Sequence, residues 1–364
     1  MRMTIEQAQF LKSLQVVERA VNERSALPHL AHVHLETTSQ ELVLTATDLD
    51  VGVQYRLPLG TTQEPGAVTL PAKRLSAIIR EFPEEEVVIE TKKNHTTTLS
   101  CGTSQFRLQG LPPEDFPIFP TPEQTSPNTI PQFLLKTLVT QTAFAMSLEE
   151  TRFILNGALF SLHDHTLTIV ATDGRRLAIA HAPVEPPAEA ETGAAWQVVV
   201  PAKTIRELGR LLQEDAAPVT IAPLKDNQLR FQFGDVTIMT RLIDGQFPNY
   251  ESVVPPRSAS TLVCPRQPLL NAIRRANLMT TATSQAVVFE LTKNAVVLSK
   301  ESAELGSARE ELAATYTGEP MTVAFNPEFW LDALKVLEAE SVTLELASPE
   351  KPAVIRLPQF LYIV

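Results

Sequence analysis

Three histidines stand close together as His29-x-x-His32-x-His34, and His163-Asp164-His165 adds a second cluster. Imidazoles at short spacing are common zinc ligands, so metal binding is the first chemistry to weigh. On an extended strand His32 and His34 would share a face, yet three imidazoles from one regular strand cannot converge on a single ion. No nearby cysteine or paired carboxylate completes the set, and His163-Asp164-His165 reads as a loop between strands. Asp48 and Asp50 are spaced as a general acid and base could be, but alternation puts both on a sheet face beside a turn, where solvated carboxylates are common. No nucleophile, base and oxyanion group accompanies them. The sequence therefore points to no catalytic residue, no metal and no cofactor, and a metal- or carboxylate-dependent hydrolase stands as the competing class.

Two cysteines, Cys101 and Cys264, lie far apart with no CxxC spacing, which excludes a zinc ribbon or a disulfide framework and leaves two reduced, buried thiols. Glycine is scarce (13) and proline plentiful (28), and neither GxxxxGK[ST] nor GxGxxG occurs, so any nucleotide energy must come from a partner. No apolar run is long enough to span a bilayer. The opening Met1-Arg-Met-Thr-Ile-Glu-Gln7 reaches charge before an apolar stretch can form, which argues against a secretory signal and for a cytoplasmic protein. A net charge of −11 disfavours nucleic acid when averaged over the surface.

These residues sit in a repeat. Phe10-Leu-Lys-Ser-Leu14, Leu44-Thr-Ala-Thr-Asp48, Val68-Thr-Leu-Pro-Ala-Lys-Arg-Leu75 and Asp115-Phe-Pro117 occur in that order. Roughly 125 to 130 residues later come Phe133-Leu-Leu-Lys-Thr-Leu138, Ile169-Val-Ala-Thr-Asp173, Val199-Val-Pro-Ala-Lys-Thr-Ile205 and Gln246-Phe-Pro248. A fainter third copy runs from Pro268-Leu-Leu-Asn-Ala-Ile273 through Val296-Val-Leu-Ser299 to Ala324-Phe-Asn-Pro-Glu-Phe-Trp-Leu331. Each copy reads helix, strands, helix, strands. Apolar spacing predicts helices within 5–24, 72–81, 132–146, 202–214, 266–279 and 327–338, and alternation predicts strands at 30–36 and 41–47. Proline opens the second helix of a copy, where a missing N–H is tolerated. Pro/Ser/Thr-rich linkers at 120–127 and 254–260 separate three α+β domains, at 1–127, 128–259 and 260–364.

The predicted helices together carry a small positive charge although the whole chain is at −11. If they face one surface, that surface is mildly basic on an acidic body, which suits loose contact with a phosphate backbone irrespective of base sequence.

The triple repeat, Leu44-Thr-Ala-Thr-Asp48, Phe153-Ile-Leu-Asn-Gly157, Ala171-Thr-Asp-Gly-Arg-Arg-Leu177, Val200-Pro-Ala-Lys203 and Asp244-Gly-Gln-Phe-Pro-Asn-Tyr250 together resemble the bacterial DNA polymerase III beta subunit, the sliding-clamp family, over essentially the whole chain. The resemblance implies three clamp domains per chain and a head-to-tail homodimer. In that ring the helices line the inner face and antiparallel sheets lie outside, and duplex DNA passes through the hole. Head-to-tail contact that closes makes a ring and not a filament. It also implies partners: a clamp loader, the polymerase III alpha subunit and other proteins carrying a short apolar linear motif, with no membrane and no catalytic activity. A clamp that slides needs only weak phosphate contacts, which reconciles the charge with a DNA-binding role.

Carried onto this sequence, the resemblance marks Arg24, Lys73, Arg74, Arg152 and Lys203 as DNA-facing, with a structural ion pair as the other reading of Arg152. Phe106 and Leu108, on a strand from Ser104 to Gln109, would meet Leu278 and Met279 of a second copy. The partner-peptide pocket would comprise Leu155, Thr172, Gly174, Arg175, Arg176, Leu177, Pro248 and Val253 of the second domain, with Asn326, Phe329 and Ile363 of the third. Asp173-Gly174 alone would be a hairpin turn. The first copy reads Thr47-Asp-Leu-Asp-Val51 there, without the arginines, so the pocket belongs to one domain. Family members commonly continue into Met-Pro-Met-Arg-Leu where this sequence reads Leu361-Tyr-Ile-Val364, so the cleft is expected to be shallower, with Ile363 and Val364 at an exposed margin. A paralogue serving repair or drug resistance would share all of these features.

Overall fold

The computed structural model describes residues 1–59, 62–83, 85–119, 128–185 and 195–364. The first expected linker, 120–127, lies outside the described residues. The helices are α1 (Gln7–Val17), α2 (Ala72–Glu81), α3 (Gln132–Ala143), α4 (Ala202–Leu211), α5 (Arg266–Asn277) and α6 (Pro327–Val336). All six fall within the predicted spans.

A single local device starts most of these helices. The strands Gly66–Pro71, Asn128–Pro131, Trp196–Pro201 and Thr261–Pro265 each end on proline, and α2, α3, α4 and α5 begin at the next residue. Proline lacks the N–H that a first helical turn would leave unpaired, and its φ suits both states, so it ends a strand and opens a helix in one step. In α6 proline stands at the first helical position, behind an Asn326 side chain that accepts a hydrogen bond from Glu328 N at 3.0 Å.

α1 buries Phe10, Leu14 and Val17 on one face and stops at Val17, well short of the expected residue 24. A short 3-10 turn, Glu18–Ala20, follows, and Val21 is already extended. The Asn22 amide donates to Leu30 O at 2.7 Å, drawing the chain off the helical path, so the helical spacing of Val21 is coincidental. Arg24 consequently lies in a turn and not on a helix.

The chain divides into two compact units. The first comprises Met1–Leu135, Val184–Gly193 and Arg206–Leu242, the second Lys136–Pro183, Ala194–Ile205 and Ile243–Val364, so the middle repeat contributes to both. In the first unit an eight-stranded antiparallel sheet continues from one repeat into the next, because Val236–Arg241 pairs with Val51–Pro58 in the register Ile238↔Val53. A five-stranded sheet in the same unit ends on the edge strand Ser104–Gln109. In the second unit a nine-stranded sheet joins the middle and last repeats through Leu177–Pro183 and Phe360–Ile363, and a four-stranded sheet has Gly306–Ala313 at one edge. Within the units, α1 packs on α2 and α5 on α6.

Both cysteines are free and buried, and burial pushes the Cys264 thiol up to about 12. No helix among the described residues is long and apolar enough to cross a membrane.

Candidate functional site

The turn between the strands Thr166–Thr172 and Leu177–Pro183 is built by its own side chains. Thr172 Oγ1 donates to Arg176 O at 2.6 Å and accepts from Gly174 N at 3.0 Å. Asp173 Oδ1 accepts from Arg175 N at 2.9 Å and Arg176 N at 3.0 Å, the Asx geometry that short polar side chains supply in turns. Gly174 has φ +84°, and a Cβ there would fall 3.0 Å from Arg152 Nη1, so both conformation and space favour glycine. Arg152 donates from Nη1 to Asp173 O at 3.0 Å, and its Nε lies 3.3 Å from Glu149 Oε2.

Arg176 organises the surroundings of the turn. Its Nε donates to Asp173 Oδ2 at 3.1 Å, Nη1 to Asp332 Oδ2 on α6 at 2.8 Å, and Nη2 to Phe144 O just past α3 at 2.7 Å. The guanidinium also lies 4.8 Å from the Phe329 ring centroid and 5.4 Å from that of Phe144, within cation–π range. Burial opposes its charge, but the hydrogen bond to Asp332 and the fields of Tyr362, Asp332 and Asp173 outweigh it and hold the guanidinium more firmly protonated than usual. Burial likewise raises the Tyr362 phenol, whose hydroxyl donates to Phe329 O at 2.8 Å. Arg176 therefore acts as a clasp between the turn and α6, a job that needs the planar five-donor guanidinium and that lysine could not do.

Beside the clasp, Leu155, Leu177, Val170, Phe247, Val354 and Ile363 form an apolar cluster on which Tyr250 and Val254 pack. Pro248 and Val253, each next in sequence to one of these residues, are exposed at its edge, Val253 by 57%. Arg175 is exposed on the turn, Asn326 caps α6, and Phe329 faces the Arg176 guanidinium. Ile363 differs from expectation. It is 6% exposed and stands opposite Leu177 in the ladder, so it belongs to the buried cluster and not to an exposed margin. Residues of this kind hold apolar segments by shape and desolvation rather than by reaction chemistry.

The cationic positions lie in two places. In the first unit Lys73 Nζ meets Glu23 Oε2 at 2.5 Å, which brings the turn carrying Arg24 against the start of α2, where Lys73 and Arg74 are exposed. In the second unit Arg152 is engaged with Glu149 and the Asp173 carbonyl, as the ion-pair reading expected, and Lys203 is half-buried in the first turn of α4.

The apolar contact candidates flank sheet edges. Phe106 is 44% exposed on the edge strand and tilts against Phe82 with ring centroids 5.6 Å apart, while Leu108 is half-buried. Leu278, 72% exposed, and half-buried Met279 follow α5. Arg275 on α5 grips Glu310 of the edge strand Gly306–Ala313 through two hydrogen bonds of 2.9 and 2.6 Å, which hold the Glu310 carboxyl below its usual range.

The histidines do not converge. His32 Nδ1 lies 2.6 Å from Pro28 O, and His34 Nδ1 lies 3.2 Å from Thr69 Oγ1 with its ring stacked on Phe116. Among the described residues no group of three or more potential ligands could hold a metal ion. Asp48 is likewise a turn builder, its Oδ1 accepting from Asp50 N and Val51 N.

Three domain families match in order along the chain: the DNA polymerase III beta subunit N-terminal domain over residues 1–120, the central domain over 129–249 and the C-terminal domain over 251–360. The chain belongs to the DNA polymerase III beta subunit family. It is 33% identical to the beta sliding clamp of Pseudomonas putida and 31% identical to that of Bacillus subtilis, each alignment covering 98% of this chain and 96% of the relative. The crystal structure of the Bacillus subtilis DNA polymerase sliding clamp superposes with a TM-score of 0.93 at 29% identity, covering 100% of this chain and 98% of that one. A Pseudomonas aeruginosa sliding clamp solved with ligand gives 0.92 at 33% identity with the same coverage. The clamp fold of three domains thus accounts for the repeat, although two of its sheets are shared between successive repeats. Three residues of the clamp's clasp, Asp332, Phe144 and Tyr362, carry no sequence signal of their own. They are found only once the long-range packing of Arg176 is seen.

Proposed function

We propose that this chain is a DNA sliding clamp: two copies close head to tail into a ring around duplex DNA and tether the replicative polymerase and other motif-bearing partners for processive synthesis. The observation that carries this reading is the ordered match of all three beta-subunit domains along one chain. We place the domain borders near 127/128 and 259/260. Two sheet edges support closure, since Ser104–Gln109 and Gly306–Ala313 are each outermost in their sheets and Phe106 and Leu278 stand exposed close by. An edge strand presents unpaired backbone groups, and joining two different edges between copies covers both.

In this reading Arg24, Lys73, Arg74 and Lys203 make weak contacts to phosphates, while Arg152, expected among them, is held by Glu149 and the Asp173 carbonyl, so the ring holds DNA by topology and moves along it. A partner ATPase opens the ring. The alpha subunit of the polymerase and other clients insert an apolar motif into the cleft at Leu155, Leu177 and Ile363, between the rim residues Pro248 and Val253 and the Gly174–Arg175 turn, with Asn326 and Phe329 at its α6 side. The protein acts in the cytoplasm as a processivity factor and catalyses nothing itself. Sedimentation tests the ring: the wild type is expected to be dimeric at micromolar concentration. Phe106→Asp or Leu278→Asp should give folded monomers, because each exposed apolar anchor lost from such an interface costs on the order of 1–3 kcal/mol. A wild type that sediments as a monomer under these conditions would overturn it.

A further inference from the structure

The apolar face of the strand Leu177–Pro183 continues past the cleft. Leu177, Ile179 and His181 alternate along it and so share a face. Across the ladder stand Ile363 opposite Leu177 and Leu361 opposite Ile179, and His181 N donates to Gln359 O at 3.0 Å. Beyond the Leu177–Ile363 pair lies a groove of about 570 Å³, lined by Ile179, Leu361, His181, Arg257 and Arg356 among others. Its half-buried Ile179 and Leu361 pack on the same core cluster that holds Leu177 and Ile363, so the groove borders that cluster.

The two arginines differ in what they have left to offer. Arg356 is engaged, with Nε at 3.1 Å from Glu345 Oε1 and Nη2 donating to Pro255 O at 3.1 Å, and it thereby fixes the segment leading to Arg257. Arg257 is exposed and has no ion pair or side-chain hydrogen bond among the described residues. A groove with an apolar floor, an imidazole and one uncommitted guanidinium at its rim matches a short stretch of chain bearing an apolar side chain and a carboxylate.

We infer that this groove is a second section of the partner-peptide site, which takes the flank of a clamp-binding segment and selects an Asp or Glu against Arg257. The inference rests on the cleft being the partner-peptide pocket. From Leu177 to His181 the strand advances about 13 Å, so the acidic residue falls about four residues from the one anchored at Leu177. The groove thereby discriminates among partners that share the same apolar motif.

The test is fluorescence anisotropy on the full chain with synthetic peptides that carry one apolar core motif and a flank of alanines, glutamates or lysines, added at either end. A glutamate flank at one end should tighten binding about two- to fivefold over alanine, the range of a solvent-exposed ion pair, and high salt should erase the gain. With Arg257→Glu the preference should reverse toward lysine. Val253→Asp, which alters the exposed rim without touching the core, should weaken all the peptides together. Equal binding of alanine- and glutamate-flanked peptides to the wild type would overturn the inference and leave the pocket standing. Failure of every peptide to bind the wild type would remove the pocket reading and the inference with it. If a single-stranded oligonucleotide removes the glutamate gain through Arg257, the guanidinium serves nucleic acid and the inference is likewise overturned.

Discussion

Arg176 Nη1 donates to Asp332 Oδ2 at 2.8 Å, joining a turn to a helix 156 residues further along the chain. Since Arg176 also bonds Asp173 and the Phe144 carbonyl, one side chain sets how the Thr172–Leu177 turn stands against α6. Asp332→Ala should remove the strongest of these constraints. Asp332 is 28% exposed, so the loss in stability is expected to be only about 1–2 kcal/mol, read from urea unfolding. Affinity for an apolar clamp-binding peptide should fall severalfold as the Phe329 side of the cleft loosens, and Arg176→Lys should not restore the wild-type arrangement. Unchanged stability and unchanged peptide affinity in Asp332→Ala would show that the clasp is ornamental.

The same turn occurs once in each of the first two repeats, and the comparison yields a stability prediction. Thr47 Oγ1 accepts from Leu49 N at 3.0 Å as Thr172 Oγ1 does from Gly174 N, and Leu49 has φ +80° where Gly174 has +84°. A leucine in the left-handed region carries a steric cost that glycine does not. Leu49 is 49% exposed, so it contributes little burial in return. Leu49→Gly should therefore stabilise the protein by roughly 0.5–1 kcal/mol in chemical denaturation, after allowing for glycine's greater freedom in the unfolded chain. Gly174→Leu should do the reverse and displace Arg152. A destabilised Leu49→Gly would mean that the Leu49 side chain has a role the turn geometry does not reveal.

The helices and the turn motifs were legible in the sequence because their causes are local: apolar spacing in Phe10, Leu14 and Val17, proline at strand ends, and the Thr-Asp pair that builds each turn. Helix α1 is shorter than its apolar spacing predicts, because Val21 keeps that spacing while the Asn22 amide is already bonded to Leu30 O. Pairings such as Ile238↔Val53 and Leu177↔Ile363 have no local signature, since each strand alternates in the same way whichever neighbour it receives. Hence Leu155, Leu177 and Arg176 could be singled out from the family resemblance, but the burial of Ile363 and the bond from Arg176 to Asp332 could not.

Burial lowers the pKa of both His32 and His34 from the ordinary 6.5, with only partial compensation from the Pro28 carbonyl and Glu36 respectively. The unfolded chain then takes up these protons first as the pH falls. Their contribution to stability is fully present above 6.5 and is lost as the pH drops through the window below it toward the folded values. Urea midpoints should consequently fall between about pH 7 and pH 5, and His34→Leu combined with His32→Gln should flatten that slope. A slope as steep in the double variant as in the wild type would assign the pH dependence to other groups.

Retention on DNA of defined topology tests the sliding-clamp assignment most directly. The protein is placed on nicked circular duplex by a bacterial clamp loader with ATP, washed in moderate salt, and half of the sample is linearised with a single-cutting nuclease. A closed ring is expected to remain on the circle and to run off the linear DNA. Equal retention on both forms, or equal loss from both, would contradict the account.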